Sequence, residues 1–187
     1  MSVKPKMPTA LRRDKSHGTV SESQAAGFNP QGRSEPPAAA DAAGLTAVLS
    51  PLLDRDIKGI ARWYDTATVL AGSPIALSDL LDSPGHRRIL VLTDGMNEAP
   101  FGLIALTLDD PEPDWATVSL LAIARQDERD MARWGVALLE THLRGEASRI
   151  RAAVPLDVGL ALYFWLRLGY RPDTGDGRLW MIRDLDG

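Results

Sequence analysis

The chain has 187 residues, 44% hydrophobic and 25% charged, which gives a domain of ordinary size a core and argues against global disorder. A net charge of −4 argues against nucleic acid or an anionic membrane as the main partner, and the lack of cysteine removes disulfides, thiolate catalysis and zinc–thiolate or iron–sulfur sites. No apolar run approaches about 18 residues, and the charged N-terminus is followed by no apolar core, so neither a bilayer span nor a secretory leader is expected and a cytoplasmic protein is the default.

Residues 1–42 read as a flexible tail. Pro5, Pro8, Pro30, Pro36 and Pro37 punctuate it, and its large apolar residues, Val3, Leu11, Val20 and Phe28, stand alone. Such a segment buries too little surface to offset its backbone entropy. It is expected to be a solvated extension or, being mildly basic, an arm that docks on a protein partner. Residues 43–187 read as the folded domain.

In that domain Leu45–Leu52 reads as a strand. Asp54 or Asp56 is expected to cap a helix that carries Ile57, Ile60, Ala61 and Tyr64 on one face. Ser78 is expected to cap a second helix ahead of Leu80 and Leu81. Strands follow at Arg88–Thr93, Pro100–Thr107 and Trp115–Ile123, the first two joined at the Asp94-Gly95 turn. A helix over 130–144 places Met131, Trp134, Leu138 and His142 on one face. Ile150–Val154 is a strand, Val158–Leu168 a helix ended by Gly169, and Leu179–Arg183 a closing strand after the turn at 173–177. The segments 66–83 and 109–114 read as loops. The order of elements predicts a mixed α/β (α+β) sheet rather than a doubly wound one.

The stretch from Leu120 to Glu140 runs from a long strand through a charged loop into a helix. The first turn of such a helix offers free N–H groups and the positive end of the dipole, which suits a pyrophosphate. Gly135 permits close backbone approach, and Arg129 and Arg133 supply charge. His17, His86 and His142 lack ligand spacing, so no metal site is expected. The sequence carries no G-x-S-x-G, Walker or dinucleotide-binding glycine pattern.

Here the sequence resembles the Gcn5-related N-acetyltransferase (GNAT) superfamily. Leu121-Ala122-Ile123, then Arg129-Asp130-Met131-Ala132-Arg133-Trp134-Gly135, then Val136-Ala-Leu-Leu-Glu140 are similar to that family's apolar strand end, Gln/Arg-x-x-Gly-x-Gly/Ala loop and following helix. Ala161-Leu-Tyr-Phe-Trp-Leu-Arg-Leu-Gly-Tyr170 is similar to its Ala-x-x-Phe-Tyr-x-x-x-Gly-Phe segment. The loop aligns in two registers. Anchored on Arg129, it puts Ala132 and Trp134 at the glycine positions; anchored on the helix, it puts Arg133 and Gly135 there. Trp165 stands at the family's tyrosine, the residue that often protonates the departing thiolate. An indole N–H is not acidic enough for that.

The resemblance implies a GNAT-like fold: a mixed, mostly antiparallel sheet with a splayed central pair of strands and about four helices. It implies acetyl-CoA (or coenzyme A) as cofactor, held by residues 121–123 and 129–135, and acetyl transfer to a small-molecule or peptide amine. Backbone N–H groups near Leu121 and Ile123 would receive the oxyanion. Tyr163 is the candidate acid, and Asp114 and Glu112 are candidate bases. Acidic residues at 109–114 suit a cationic amine, and the last strands offer an edge for a homodimer. With its loop altered, the fold could instead serve as a non-catalytic binding or structural module.

Overall fold

The computed structural model describes residues 47–82, 87–96 and 98–185. The expected tail, His17 and His86 lie outside the described residues. Among the described residues eight strands form a single sheet: β1 (Ala47–Pro51), β2 (Thr68–Gly72), β3 (Arg87–Asp94), β4 (Pro100–Leu108), β5 (Trp115–Ile123), β6 (Arg149–Val154), β7 (Arg171–Asp173) and β8 (Leu179–Asp184). Four α-helices accompany them there: α1 (Asp54–Ile60), α2 (Leu77–Leu81), α3 (Arg129–Leu143) and α4 (Gly159–Arg167). The strand order is β1-β3-β4-β5-β6-β8-β7, with β2 pairing to β5 off this path. Of the pairs between these strands, β5 and β6 alone run parallel. The mixed α+β fold is therefore as expected, with two strands, β2 and β7, that the sequence reading passed over.

β4 and β5 are central and apolar on both faces, as strands covered on both sides must be. Leu103, Ala105, Leu120 and Ala122 point into one layer with Ile60, Tyr64 and Leu80 from the α1–α2 region. Ile104, Leu106, Leu121 and Ile123 point into the other, with Val136, Leu139 and Phe164 from α3 and α4. The period-two alternation thus assigns successive side chains to opposite cores.

Local details depart from expectation. Leu53, not an aspartate, is the N-cap of α1; the Asp56 carboxylate reaches back and accepts the Leu53 N–H at 3.0 Å. The helix ends at Ile60, and Tyr64 sits in a short turn after it, still buried in the core. Ala76, not Ser78, caps α2. In α3 the buried stripe is Ala132, Val136, Leu139 and Leu143, whereas Trp134 and Leu138 remain 37% and 40% exposed. Two stripes compete on that helix, and the one with smaller residues wins because it lets the helix lie close on the sheet. At Gly135 a Cβ would come 2.5 Å from Leu92 Cδ2. α4 stops as expected, with Gly169 left-handed at φ 84°.

Candidate functional site: the splay between β5 and β6

β5 and β6 pair over Trp115–Val118 and Arg149–Ala152, and the ladder then ends. Beyond that point β6 continues to Val154 on β8, while β5 continues to Ile123 on β4. The two parallel strands therefore part beside Leu120–Ile123. This is the splay expected of the fold.

The splay is filled by the chain itself. β2 runs antiparallel along the edge of β5 that β6 has left, pairing Thr68 with Ile123, Val69 with Ala122, Ala71 with Leu121 and Gly72 with Leu120. The register shifts between Val69 and Ala71, so Leu70 is the extra residue of a bulge. Leu70 and Ala71 are fully buried. Gly72 is left-handed, φ 77°, and a Cβ there would overlap the Ser119 carbonyl oxygen, so only glycine lets the strand end so close to β5. Trp165, on α4, completes the seam: its indole Nε1 donates to the Leu70 carbonyl oxygen at 2.7 Å. Tyr170 and Phe164 pack edge-on against the Trp165 ring, with centroids 4.6 Å and 5.3 Å away.

Leu121, Ala122 and Ile123 thus lie between β4 and β2, with both edges of β5 taken. Gly135, expected to admit a ligand, instead admits Leu92.

The junction between β5 and α3 is differently built. The Arg125 N–H donates to Glu128 Oε2 at 2.9 Å, closing a short turn over Gln126–Glu128. Burial raises the Glu128 carboxyl above its ordinary pKa, and that N–H works against the shift. The Arg129 Nε donates to the Gln126 carbonyl oxygen at 2.8 Å, and the Arg133 guanidinium lies 3.6 Å from Asp130. Beside this turn is an open groove of about 420 Å³, lined by Arg129, Asp130 and Arg133 of α3 and by Tyr163, Phe164 and Arg167 of α4. Arg167 stacks on the Tyr163 ring at 5.5 Å. The structure therefore gathers Arg129, Asp130, Arg133 and Tyr163 at one outer groove, away from the buried Leu121–Ile123 segment. Tyr163 is 56% exposed there. Met131 is half-buried, Ala132 is buried in the core, and Trp134 is turned to solvent.

Asp114 and Glu112 do not approach the splay. They precede the opposite end of β5, and a strand of that length puts roughly 20 Å between them and Leu121–Ile123. The acidic loop is also internally engaged. Asp109 Oδ1 accepts the Asp114 N–H at 3.1 Å, and Asp110 lies 3.5 Å from the Arg151 guanidinium. The Asp114 carbonyl oxygen accepts N–H groups from Ser148 and Arg149.

The sequence reading missed β2 and the part Trp165 plays in seating it. The signal was the Thr68-Val-Leu-Ala-Gly72 run, β-branched and apolar and closed by glycine.

An acyl-carrier fits this site in one half only. The outer groove offers three guanidinium groups to phosphates. The space beside Leu121–Ile123, where an acyl-bearing arm would lie, is taken by β2. Among the described residues no cluster of three or more His, Asp or Glu side chains is gathered for a metal ion, and no helix is long and apolar enough to cross a membrane.

A mixed sheet with parting central parallel strands, covered by helices on both faces, defines the N-acetyltransferase class of fold. No protein-family model matches the chain, and no curated protein sequence does. Solved structures do. An acetyltransferase from Thermus thermophilus is 25% identical, with a TM-score of 0.61 over 75% of this chain and 98% of that one. The ribosomal-protein-S18-alanine N-acetyltransferase from Escherichia coli is 16% identical, with a TM-score of 0.59 over 76% of this chain and 96% of that one. An N-acetyltransferase from Staphylococcus aureus is 10% identical, with a TM-score of 0.58 over 76% of this chain and 99% of that one. The chain thus has the fold of Gcn5-related N-acetyltransferases.

Proposed function

We propose that this chain is a GNAT-fold acyltransferase, moving an acetyl group from an acyl-CoA donor to a small-molecule or peptide amine, and that the conformation described is its closed state. Likeness to acetyltransferases over the folded domain supports general acetyl transfer. The observation that carries the reading is the outer groove, where Arg129, Arg133 and Arg167 converge beside the first turn of α3. Guanidinium groups and helix N–H groups are the donors that phosphates and pyrophosphates select. A cytoplasmic location belongs to this reading. The test is calorimetry with coenzyme A and with acetyl-CoA. Binding that Arg133→Glu weakens supports the reading, and no binding of either ligand at millimolar concentration removes it. A mass-spectrometric screen of amines with acetyl-CoA would then identify the acceptor.

The seating of β2 favours a second reading, a GNAT-fold module without catalysis. Trp165 occupies the position of the family's acid and is spent on holding β2. Under this reading residues 1–42 serve as the docking arm. Unchanged partner binding and assembly after their removal would count against it.

A further inference from the structure

We infer that β2 is a self-supplied occupant of the splay: a ligand arm that needs the Leu121–Ile123 edge must first release β2, and Trp165 is the positioning residue that keeps it seated. The inference rests on the acyl-carrier reading above and concerns how that site is controlled.

The seam is built for occupancy. A strand edge carries unpaired N–H and C=O groups, and where β5 and β6 part, that edge of β5 would be left open. β2 satisfies it over four residue pairs. The bulge at Leu70 turns one main-chain carbonyl out of the ladder, and Trp165 meets it from α4. A buried carbonyl left without a donor is costly, so the indole is matched to the bulge rather than to either strand alone. Gly72 removes the side chain that would hold the strand away from Ser119.

The same strand is built to be separable. It has five residues and, among the described residues, pairs with β5 alone; it touches β6 without sharing a ladder. Residues 73–76 after it are exposed and form no helix or strand, and Asp65 and Thr66 before it are exposed as well. Its departure would leave β3, β4, β5, β6 and β8 paired as they are. A neighbouring open groove, lined by Thr66 and Thr68 at the start of β2 and by Ala124, Arg125 and Arg129 just past the C-terminal end of β5, gives a ligand held at Arg129 a path toward the β2 track. Occupancy by β2 and by such an arm are mutually exclusive.

The test titrates coenzyme A into the full chain, into Trp165→Phe and into a Val69→Cys/Ala122→Cys variant, while amide exchange is followed at residues 68–72. Directly paired residues of antiparallel strands lie close enough for a disulfide, and the chain has no cysteine of its own, so this staple would be its sole disulfide. Trp165→Phe is expected to speed exchange in β2 and tighten coenzyme A binding by about tenfold, the scale of one buried hydrogen bond. Bound coenzyme A is expected to strip the remaining protection from β2. The oxidised staple is expected to suppress binding and its reduction to restore it; this arm holds even if the Trp165 variant folds poorly. Equal affinity in all forms, with β2 still protected in the complex, would overturn the inference and leave the acyl-carrier reading standing. Faster exchange in Trp165→Phe with coenzyme A binding to no form would overturn both.

Discussion

The indole Nε1 of Trp165 donates to the carbonyl oxygen of Leu70 at 2.7 Å across 95 residues of sequence. That bond joins the bulge of β2 to α4 and fixes the strand in the parting of β5 from β6. In the segment that Ala161–Tyr170 resembles, this position belongs to a tyrosine; here the side chain donates to the main chain.

Replacing Trp165 with Phe keeps most of the ring and removes the donor. The Leu70 carbonyl is then buried without a partner, and a loss of about 1–3 kcal/mol in unfolding free energy is expected. Urea denaturation checks this, and a change too small to measure would mean that Leu70 finds water or another donor.

Gly72→Ala is expected to cost more. Left-handed backbone alone costs a non-glycine residue about 1–3 kcal/mol, and here the added Cβ also meets the Ser119 carbonyl. The alternative to unfolding is a β2 that swings off β5, so thermal melting should be paired with amide exchange at residues 68–72. A neutral substitution would contradict the close approach of the two strands.

Much of this arrangement was legible in the sequence, and the rest was hidden for physical reasons. Trp115–Ile123 was readable to the residue because a strand buried on both faces has a long apolar run. Gly169 ended α4 because few residues other than glycine take its backbone angle readily. β2 was hidden because five residues at the end of a polar segment carry too little periodicity, and its partner is about 50 residues away. The face of α3 was misread because Met131, Trp134 and Leu138 form an apolar stripe as regular as the buried one. What decides between the stripes is the room left by Gly135 against Leu92, a property of packing that spacing cannot express. Arg129 and Arg133 were singled out because a strand–loop–helix junction with clustered charge has local meaning, and the structure sets both along one groove.

Gly135→Ala separates packing from ligand approach. In the absence of any ligand the substitution is expected to lower stability by about 1–2 kcal/mol, because Leu92 is fully buried and also lies so close over Gly102 that a Cβ there would come 2.9 Å from its Cδ1. Equal stability of the two proteins would return Gly135 to the role the sequence suggested.

Glu140 supplies a pH test away from the splay. It is buried on α3, with the Arg183 guanidinium 3.1 Å away, and the same guanidinium donates to the Leu168 carbonyl. Burial raises the Glu140 carboxyl above its ordinary pKa; Arg183 opposes the shift without cancelling it. The folded chain therefore holds this proton more tightly than the unfolded chain. Stability from this site is full below the ordinary carboxylate value and falls as pH rises through the raised one. Melting temperatures of wild type and Glu140→Gln, taken from about pH 4 to pH 7, should show the wild type losing ground to the variant as pH rises. A difference that is constant with pH would place Glu140 in a more open setting.

The most direct measurement is nuclear magnetic resonance of the unliganded protein. If β2 fills the splay, cross-strand proton contacts join Val69 to Ala122 and Thr68 to Ile123, and the Trp165 indole proton exchanges slowly. Absence of those contacts, with rapid exchange of the Trp165 indole proton and of the β2 amides, would contradict the account.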